Sequence, residues 1–277
     1  MKIGGVTFEW GALTYVMGVL NITPDSFSGD GLGADLDAAV EQAVRFESEG
    51  AHILDIGGES TRPPGVYDGA RSVGVQEELE RVLPVIEAVL AACSLPVSID
   101  TRKAAVARAA VAAGAGLVND VTMLGYDPEM IETIADLRTP VVISHIRARA
   151  RYDDVVGEVI TDLIATVNEA EKAGVKRDRI ILDPGIGFGK TAAHSLEVLR
   201  HLDELTQLGF PTLVGTSRKS SIGLVLDLPV DDRLEGTAAT VALAIASGAD
   251  MIRVHDVKEM ARVAKMSDAI VRGWEAP

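Results

Sequence analysis

The stretch His52-Ile53-Leu54-Asp55-Ile56-Gly57-Gly58-Glu59-Ser60-Thr61-Arg62 joins a short, strand-like apolar run, residues 52–56, to a loop of polar residues. The run is apolar over most of its length rather than alternating, which is typical of a parallel strand covered on both faces. The same unit recurs along the chain. The strand-like segments are Tyr15–Leu20, His52–Ile56, Val97–Ile99, Leu117–Val118, Val141–Ser144, Ile180–Leu182, Thr212–Val214 and Met251–Val254.

Longer amphipathic segments lie between these strands and predict helices. In the first of them, Leu36, Val40 and Ala43 recur at the i, i+4, i+7 spacing of a helix that buries one face. Glycines such as Gly50 and Gly114 follow many of the segments, which predicts helix C-caps. The segments lie near residues 35–49, 75–92, 103–113, 128–136, 154–173, 194–208, 234–247 and 257–272.

Eight strand–helix pairs in a chain of 277 residues predict an α/β fold. A (β/α)8 (TIM) barrel, forming a single domain over residues 1–277, is the first choice because such barrels take about 250 residues. A doubly wound open sheet is the alternative. The segment Ile3-Gly4-Gly5-Val6-Thr7-Phe8 predicts a short N-terminal hairpin that plugs the bottom of the barrel.

The composition limits the classes of binding partner and the cellular compartment that we expect. Hydrophobic residues make up 47% of the chain, so it is not disordered, and 26 basic against 41 acidic residues give a net charge of −15. That charge argues against a nucleic-acid partner. No apolar run reaches the roughly 18 residues of a membrane span, and Met1–Gly5 lacks a signal peptide's apolar core. We therefore expect a cytoplasmic protein with no membrane partner.

Polar residues follow every predicted strand, at the end where active sites of such barrels lie. Any one of them could instead be an N-cap of the next helix. All eight together indicate a shared active-site rim. They are Asn21, residues 57–62, Asp100, Asn119-Asp120, His145, Asp183, Ser217-Arg218-Lys219 and residues 253–256.

Asp100, Asn119 and Asp183 end three inner strands, where their side chains converge on the barrel mouth. Two carboxylates and an amide offer several acceptors and one pair of donors. This set suits a neutral heterocycle with a guanidine-like edge, such as a pterin or guanine. Two alternatives remain: each aspartate caps the helix that follows, or two carboxylates act as paired general acid and base.

Lys219, Arg253 and His255, together with Arg62 and Arg218, place cations on strand-end loops of an acidic chain. Loops after strands 7 and 8 are the frequent phosphate site of this fold. We therefore predict an anion site here, with solvated surface charges as the alternative.

The loop Asn21–Gly31 is long and rich in turn residues. At the active face, such a loop can act as a lid, and Asn21 and the loop carboxylates could ligate Mg2+ through oxygen. An ordinary turn is the alternative. The segment Gly185–Thr191 is similar to a phosphate loop, but Pro184 stands where its first glycine belongs.

Taken together, these loops resemble the dihydropteroate synthases, a family of pterin-binding enzymes. The matching segments occur in the family's order and cover nearly the whole chain. They are Met17–Ser28, Asp55–Pro63, Ser98–Thr101, Asn119–Val121, Leu182–Lys190, Gly215–Ser220 and Arg253–Asp256.

The resemblance implies a transferase of folate biosynthesis. It would condense 6-hydroxymethyl-7,8-dihydropterin diphosphate with 4-aminobenzoate to give 7,8-dihydropteroate and diphosphate, with Mg2+ as cofactor. It further implies a homodimer, formed through late helices such as residues 234–247, and a second loop that would bind sulfonamide drugs. The implied catalytic residues are Asp100, Lys219, Arg253 and His255.

The resemblance also assigns binding residues to each substrate. The pterin would be held by Asp100, Asn119, Asp183 and Lys219. The diphosphate would be held by Asn21, through Mg2+, with Thr61, Arg253 and His255. The aminobenzoate would be surrounded by Phe27, Thr61, Arg62, Pro63, Arg218 and Ser220.

Residues 63–72 form a longer second loop than the family pattern leads us to expect, where the aminobenzoate would bind. Two other functions therefore stay open. One is a non-catalytic pterin-binding paralogue; the other is a methyltetrahydrofolate-dependent methyltransferase, which would have no use for the cations after strands 7 and 8. Dependence of diphosphate release on aminobenzoate separates them.

Overall fold

Eight parallel strands form a barrel in the computed structural model, which describes residues 1–22, 32–59 and 73–274. The strands are β3 (Tyr15–Asn21), β4 (Ile53–Gly57), β5 (Val97–Asp100), β6 (Leu117–Asp120), β7 (Val141–Ser144), β8 (Ile180–Asp183), β9 (Leu213–Val214) and β10 (Met251–Val254). Their order around the barrel is β8-β7-β6-β5-β4-β3-β10-β9.

The two end strands of that order meet, so the sheet closes on itself. Leu182 on β8 forms a parallel bridge with Thr212, just before β9. The Leu182 N–H donates to the Pro211 carbonyl at 2.9 Å. The barrel prediction is therefore confirmed, and the open-sheet alternative is wrong.

Helices follow the strands and cover the outside of the barrel. The predicted segment 194–208 is two helices that meet at His201, and a short helix over residues 220–226 follows β9. The helices are α1 (Leu32–Glu49), α2 (Val75–Ala92), α3 (Ala104–Ala112), α4 (Met130–Leu137), α5 (Val155–Lys172), α6 (Ala192–Arg200), α7 (Leu202–Thr206), α8 (Ser220–Leu226), α9 (Leu234–Ala246) and α10 (Val257–Val271), with a 3-10 turn at Arg177–Arg179.

A two-stranded antiparallel hairpin, β1 (Lys2–Ile3) and β2 (Val6–Thr7), plugs the bottom of the barrel. Ile3 and Phe8 are buried there against apolar residues that point inward from the strands, Met17 among them. The packing is close: a Cβ on Gly116 would lie 2.2 Å from the Gly4 nitrogen. The predicted hairpin is therefore confirmed.

The inner face of the barrel changes from apolar to polar along the strands. Side chains two residues apart on a strand point to the same face. Asp55 therefore points into the barrel as Ile53 does, and Asn119 points into the barrel as Leu117 does. The apolar members belong to the core at the bottom, whereas the polar members are buried at the carboxyl ends of the strands. This gradient places charged groups at the mouth of the barrel.

None of the helices in the described ranges is long and apolar enough to cross a membrane. The single-domain organisation over residues 1–277 stays a prediction.

Candidate active site

A partly buried arginine joins three strands at the mouth of the barrel. The Nε atom of Arg253, on β10, lies 2.6 Å from Asp55 Oδ2 on β4. Its Nη2 atom lies 2.7 Å from Asp100 Oδ2 on β5. The Asn119 amide on β6 donates to the same Asp55 oxygen at 3.0 Å. One guanidinium therefore fixes two carboxylates, and through Asp55 it also orients the amide.

Three buried oxygens in this cluster have no partner among the described residues: Asp55 Oδ1, Asp100 Oδ1 and Asn119 Oδ1. A buried acceptor left unsatisfied costs about 1–3 kcal/mol, so such groups are rare unless a ligand or water completes them. Each can accept a hydrogen bond. The site is thus built to receive N–H groups, as the heterocycle prediction requires.

Burial raises the pKa of Asp100 to about 7; the Arg253 charge opposes this shift and the Asp55 charge adds to it. The reason is that a carboxylate loses its hydration inside the barrel and has a second acidic group beside it. Asp100 therefore changes its charge near neutral pH. A group with that property in a cleft is a candidate for direct chemistry.

Asp183 and Lys219 complete the predicted pterin set. Burial raises the pKa of Asp183, while the Gly185 N–H, which donates to Asp183 Oδ1 at 2.7 Å, and the Lys219 charge act in the opposite direction. The Lys219 ammonium lies over the Phe188 ring, 4.2 Å from its centre. The structure thus places all four predicted residues, Asp100 and Asn119 included, at the carboxyl ends of the strands.

The predicted anion site differs from expectation in its charge. The sequence predicts His255 as a cation, but burial, then Arg253 and Arg218, lower its pKa to about 3, so its ring is neutral at physiological pH. The His255 Nδ1 atom is 3.0 Å from Ser217 Oγ. Arg218 is paired with Asp256, with Nε 3.0 Å from Oδ2. Much of the cationic charge predicted here is therefore already balanced.

The remaining predicted site residues divide into two groups. Asn21 ends β3 beside Gly57, and Ser220 is exposed at the first position of α8. Phe27, Thr61, Arg62 and Pro63 lie outside the described residues, so their predicted roles stay predictions.

Two residues of the site were not predicted. Asp55 carries a signal in the sequence: a carboxylate inside an apolar strand, two positions from Ile53 and therefore on the same inward face. Lys190 lay in the segment discounted as a phosphate loop. Its ammonium is buried and 2.7 Å from His145 Nδ1. No sequence spacing indicates that pairing, because the two residues are 45 positions apart.

A profile of the family described as pterin binding enzymes matches residues 17–255, from within β3 to the residue after β10. The chain belongs to this family. The dihydropteroate synthase of Clostridium beijerinckii is 48% identical over 273 residues, which cover 98% of this chain and 100% of the relative. This pterin-binding enzyme is also similar to solved structures.

A dihydropteroate synthase from Clostridium difficile, crystallised in the presence of pteroic acid, superposes with a TM-score of 0.92 at 46% identity, covering 96% of this chain and 100% of that one. A dihydropteroate synthase from Xanthomonas albilineans in complex with 7,8-dihydropteroate has a TM-score of 0.86 at 44% identity, covering 96% and 95%. The fold of this pterin-binding enzyme is therefore that of the synthases.

Proposed function

We propose that the protein is a dihydropteroate synthase, a transferase of folate biosynthesis. It condenses 6-hydroxymethyl-7,8-dihydropterin diphosphate with 4-aminobenzoate. The bond from the pterin methylene carbon to the diphosphate oxygen breaks, a bond from that carbon to the arylamine nitrogen forms, and the nitrogen loses a proton. The relatives described above bear this name, and one of their structures contains 7,8-dihydropteroate.

The buried acceptor atoms of Asp55, Asp100 and Asn119 carry the proposal. A pterin presents N–H groups along its guanidine-like edge, and these acceptors, with the Asp183 carboxylate, are the complementary groups for such an edge. Three unpaired acceptors so close together are rare in a purely structural cluster unless water completes them. The pterin set therefore stays as predicted, with Asp55 added as the residue that aligns Arg253 and Asn119.

Departure of diphosphate leaves a delocalised cation on the pterin. Ionised Asp100 stabilises that positive charge because it is fixed in a water-poor site before the reaction begins. The arylamine is a nucleophile at neutral pH, so the reaction needs positioning more than a strong base. Lys219, Arg253 and His255 complete the proposed catalytic set; His255 acts as a neutral hydrogen-bond donor to the leaving group.

Mg2+ is the proposed cofactor, with Asn21 as its protein ligand. No group of three or more His, Cys, Asp or Glu side chains in the described part of the chain could hold a metal ion. Mg2+ is commonly bound by one or two protein oxygens plus substrate phosphates and water, so a single amide at the end of β3 fits that role. When bound, the ion would balance charge on the diphosphate, which Thr61, Arg253 and His255 also contact.

The aminobenzoate is proposed to lie among Phe27, Thr61, Arg62, Pro63, Arg218 and Ser220. The protein is further proposed to form a homodimer and to work in the cytoplasm. Support for the dimer comes from exposed apolar residues on the last helices, such as Leu243 on α9 and Ile270 on α10.

Diphosphate release tests the proposal. The purified protein is incubated with the pterin diphosphate and Mg2+, with and without 4-aminobenzoate, and product is identified by mass spectrometry. Release that requires aminobenzoate and yields dihydropteroate supports the synthase. Pterin binding without aminobenzoate-dependent release identifies a non-catalytic paralogue, and no release together with methyl transfer from methyltetrahydrofolate identifies a methyltransferase. Omission of Mg2+ and the Asn21→Ala variant test the metal.

A further inference from the structure

The segment between β8 and α6 lies against the end of β7 and is held there by a buried lysine. The Lys190 ammonium has three acceptors, one for each of its N–H groups. They are His145 Nδ1 at 2.7 Å, the Gly185 carbonyl at 3.1 Å and the Phe188 carbonyl at 3.3 Å. A buried ammonium with all its donors used is specifically oriented.

His145 is suited to accept a hydrogen bond from that ammonium. Its side chain is fully buried, and burial, followed by the Lys190 charge, lowers its pKa to about 4. In the neutral ring, Nδ1 must be the acceptor because an ammonium can only donate, so Nε2 carries the proton. That proton lies toward Asp162 Oδ2, 3.1 Å away. The histidine therefore links α5 to Lys190 with one defined tautomer.

The held segment, residues 185–189, fits only without side chains at two positions. A Cβ on Gly185 would lie 1.8 Å from the His145 carbonyl oxygen, and one on Gly189 would lie 2.0 Å from that of Arg147. The segment carries Phe188, whose ring lies beneath the Lys219 ammonium. Lys190 is hydrogen-bonded to the main chain of this segment, so it helps to set the position of the Phe188 ring against which Lys219 packs.

Lys190 also acts on Asp183 through its charge. Burial raises the pKa of Asp183, and the Lys219 and Lys190 charges both oppose that rise. Burial in turn lowers the pKa of Lys190 to about 7, and the Asp183 charge is the first influence that opposes this. Each group therefore supports the charged state of the other. The titratable and charged groups that face Lys190 are His145 and Arg147 after β7, Asp162 on α5, Asp183 on β8 and Lys219 after β9.

We propose that Lys190 is a positioning residue for pterin recognition: hydrogen-bonded to His145 and to two carbonyls of the 185–189 segment, it fixes that segment beneath Lys219. This inference rests on the proposed function, because the ligand that Asp183 accepts is the pterin. Lys190 itself does not touch the reacting atoms. Its removal should weaken the pterin site and leave the aminobenzoate site unchanged.

The test compares Lys190→Met, Lys190→Arg and the wild type in steady-state kinetics between pH 5.5 and 9. Lys176→Met is the control, because it removes the same charge from an exposed position. For Lys190→Met we expect the KM for the pterin diphosphate to rise roughly ten- to a hundredfold, with the KM for aminobenzoate unchanged. The acid limb of kcat/KM, to which Asp100 and Asp183 both contribute, should move to higher pH, because Asp183 loses a neighbouring cation and its pKa rises further.

Lys190→Arg keeps the charge but not the three-acceptor geometry. It should raise the KM for the pterin diphosphate less and leave the acid limb at the wild-type pH, and this variant decides the matter if Lys190→Met does not fold. An acid limb that stays in place in Lys190→Met, or moves equally in Lys190→Arg, overturns the inference. A wild-type protein without aminobenzoate-dependent diphosphate release refutes the proposed function instead, before any variant is compared.

Discussion

The Asp100 carboxyl group combines deep burial, an ion pair with Arg253 and a pKa raised to about 7. Its charge is what the proposed chemistry uses. Asp100→Asn keeps the shape and removes the charge, so we expect kcat to fall by about 10²–10³, the range for loss of one preorganised electrostatic group. Turnover measured at pH 8, where the wild-type carboxylate is ionised, checks this.

The raised pKa of Asp100 also makes the stability of the protein depend on pH, and this effect can be measured separately from catalysis. A carboxyl group with a higher pKa in the folded than in the unfolded chain binds more protons when folded, so its contribution to stability falls as pH rises from about 4 to about 7. Asp100→Asn removes that dependence and should leave the protein folded at pH 8. A turnover within a few-fold of wild type would contradict the role assigned to Asp100.

At the residue scale, the sequence predicts which side chains face the barrel mouth but does not predict their ionisation states. Asp100, Asn119 and Asp183 could be predicted because each ends an apolar strand, and strand periodicity fixes the inward face. The neutrality of His255 could not, because it follows from burial and from Arg253 and Arg218 nearby. Ionisation depends on neighbours that only the fold brings together.

The loop after β4 and helices α2 and α3 are joined by a buried ion-pair cluster at the same end of the barrel as the site. Lys103 lies between Glu59, whose Oε2 is 2.7 Å from its Nζ, and Glu78, which it also contacts. Glu59 further accepts from the Val73 N–H at 3.1 Å. Lys103→Met leaves Glu59 paired with Arg102 but removes the cation beside Glu78. Because a buried charge is then uncompensated, we expect this variant to lower the free energy of unfolding by about 3–5 kcal/mol.

Urea denaturation checks this prediction, with Arg108→Met as the matched control. Arg108 pairs with Asp136 across an exposed surface, where such pairs contribute about 0–1 kcal/mol. Equal losses in the two variants would show that burial does not set the strength of the Lys103 cluster.

The hairpin at the bottom of the barrel gives a second prediction at the element scale. A Cβ on Gly116 would overlap the Gly4 backbone, whereas one on Gly74 would meet nothing within 4 Å. Gly116→Ala should therefore cost about 1–3 kcal/mol as an overpacking change, and Gly74→Ala should be close to neutral. Thermal unfolding of the two variants measures the difference; a Gly116→Ala variant as stable as wild type would show that the hairpin moves aside freely.

The elements themselves could largely be predicted, for a physical reason. A parallel strand covered on both faces leaves an apolar run in the sequence, and an amphipathic helix leaves a 3.6-residue period. The break of the predicted 194–208 helix at His201 leaves no such mark: Arg200 and Leu202 continue a helical pattern, and only the tertiary structure separates α6 from α7.

At the scale of the whole molecule, a set of strongly exposed apolar side chains lies on the last three helices. It includes Leu224 on α8, 74% exposed, Leu243 on α9, 66% exposed, and Ile270 on α10, 72% exposed. Monomeric proteins rarely expose large contiguous apolar patches. Helices α9 and α10 pack against each other, so we take Leu243 and Ile270 as the surface of the proposed homodimer.

If this surface forms the proposed homodimer, an acidic residue introduced there occurs once in each subunit across the two-fold axis. The two like charges should then repel each other. We expect the double variant Leu243→Asp, Ile270→Asp to sediment as a monomer at micromolar concentration, where the wild type sediments as a dimer. Val44→Asp on α1, an exposed apolar position elsewhere, should remain dimeric.

Because both substituted side chains are already solvent-exposed, thermal unfolding of the isolated subunit should change little, so a lost dimer cannot be ascribed to a lost fold. A wild type that sediments as a monomer, or a double variant that still dimerises, would remove this surface as the interface.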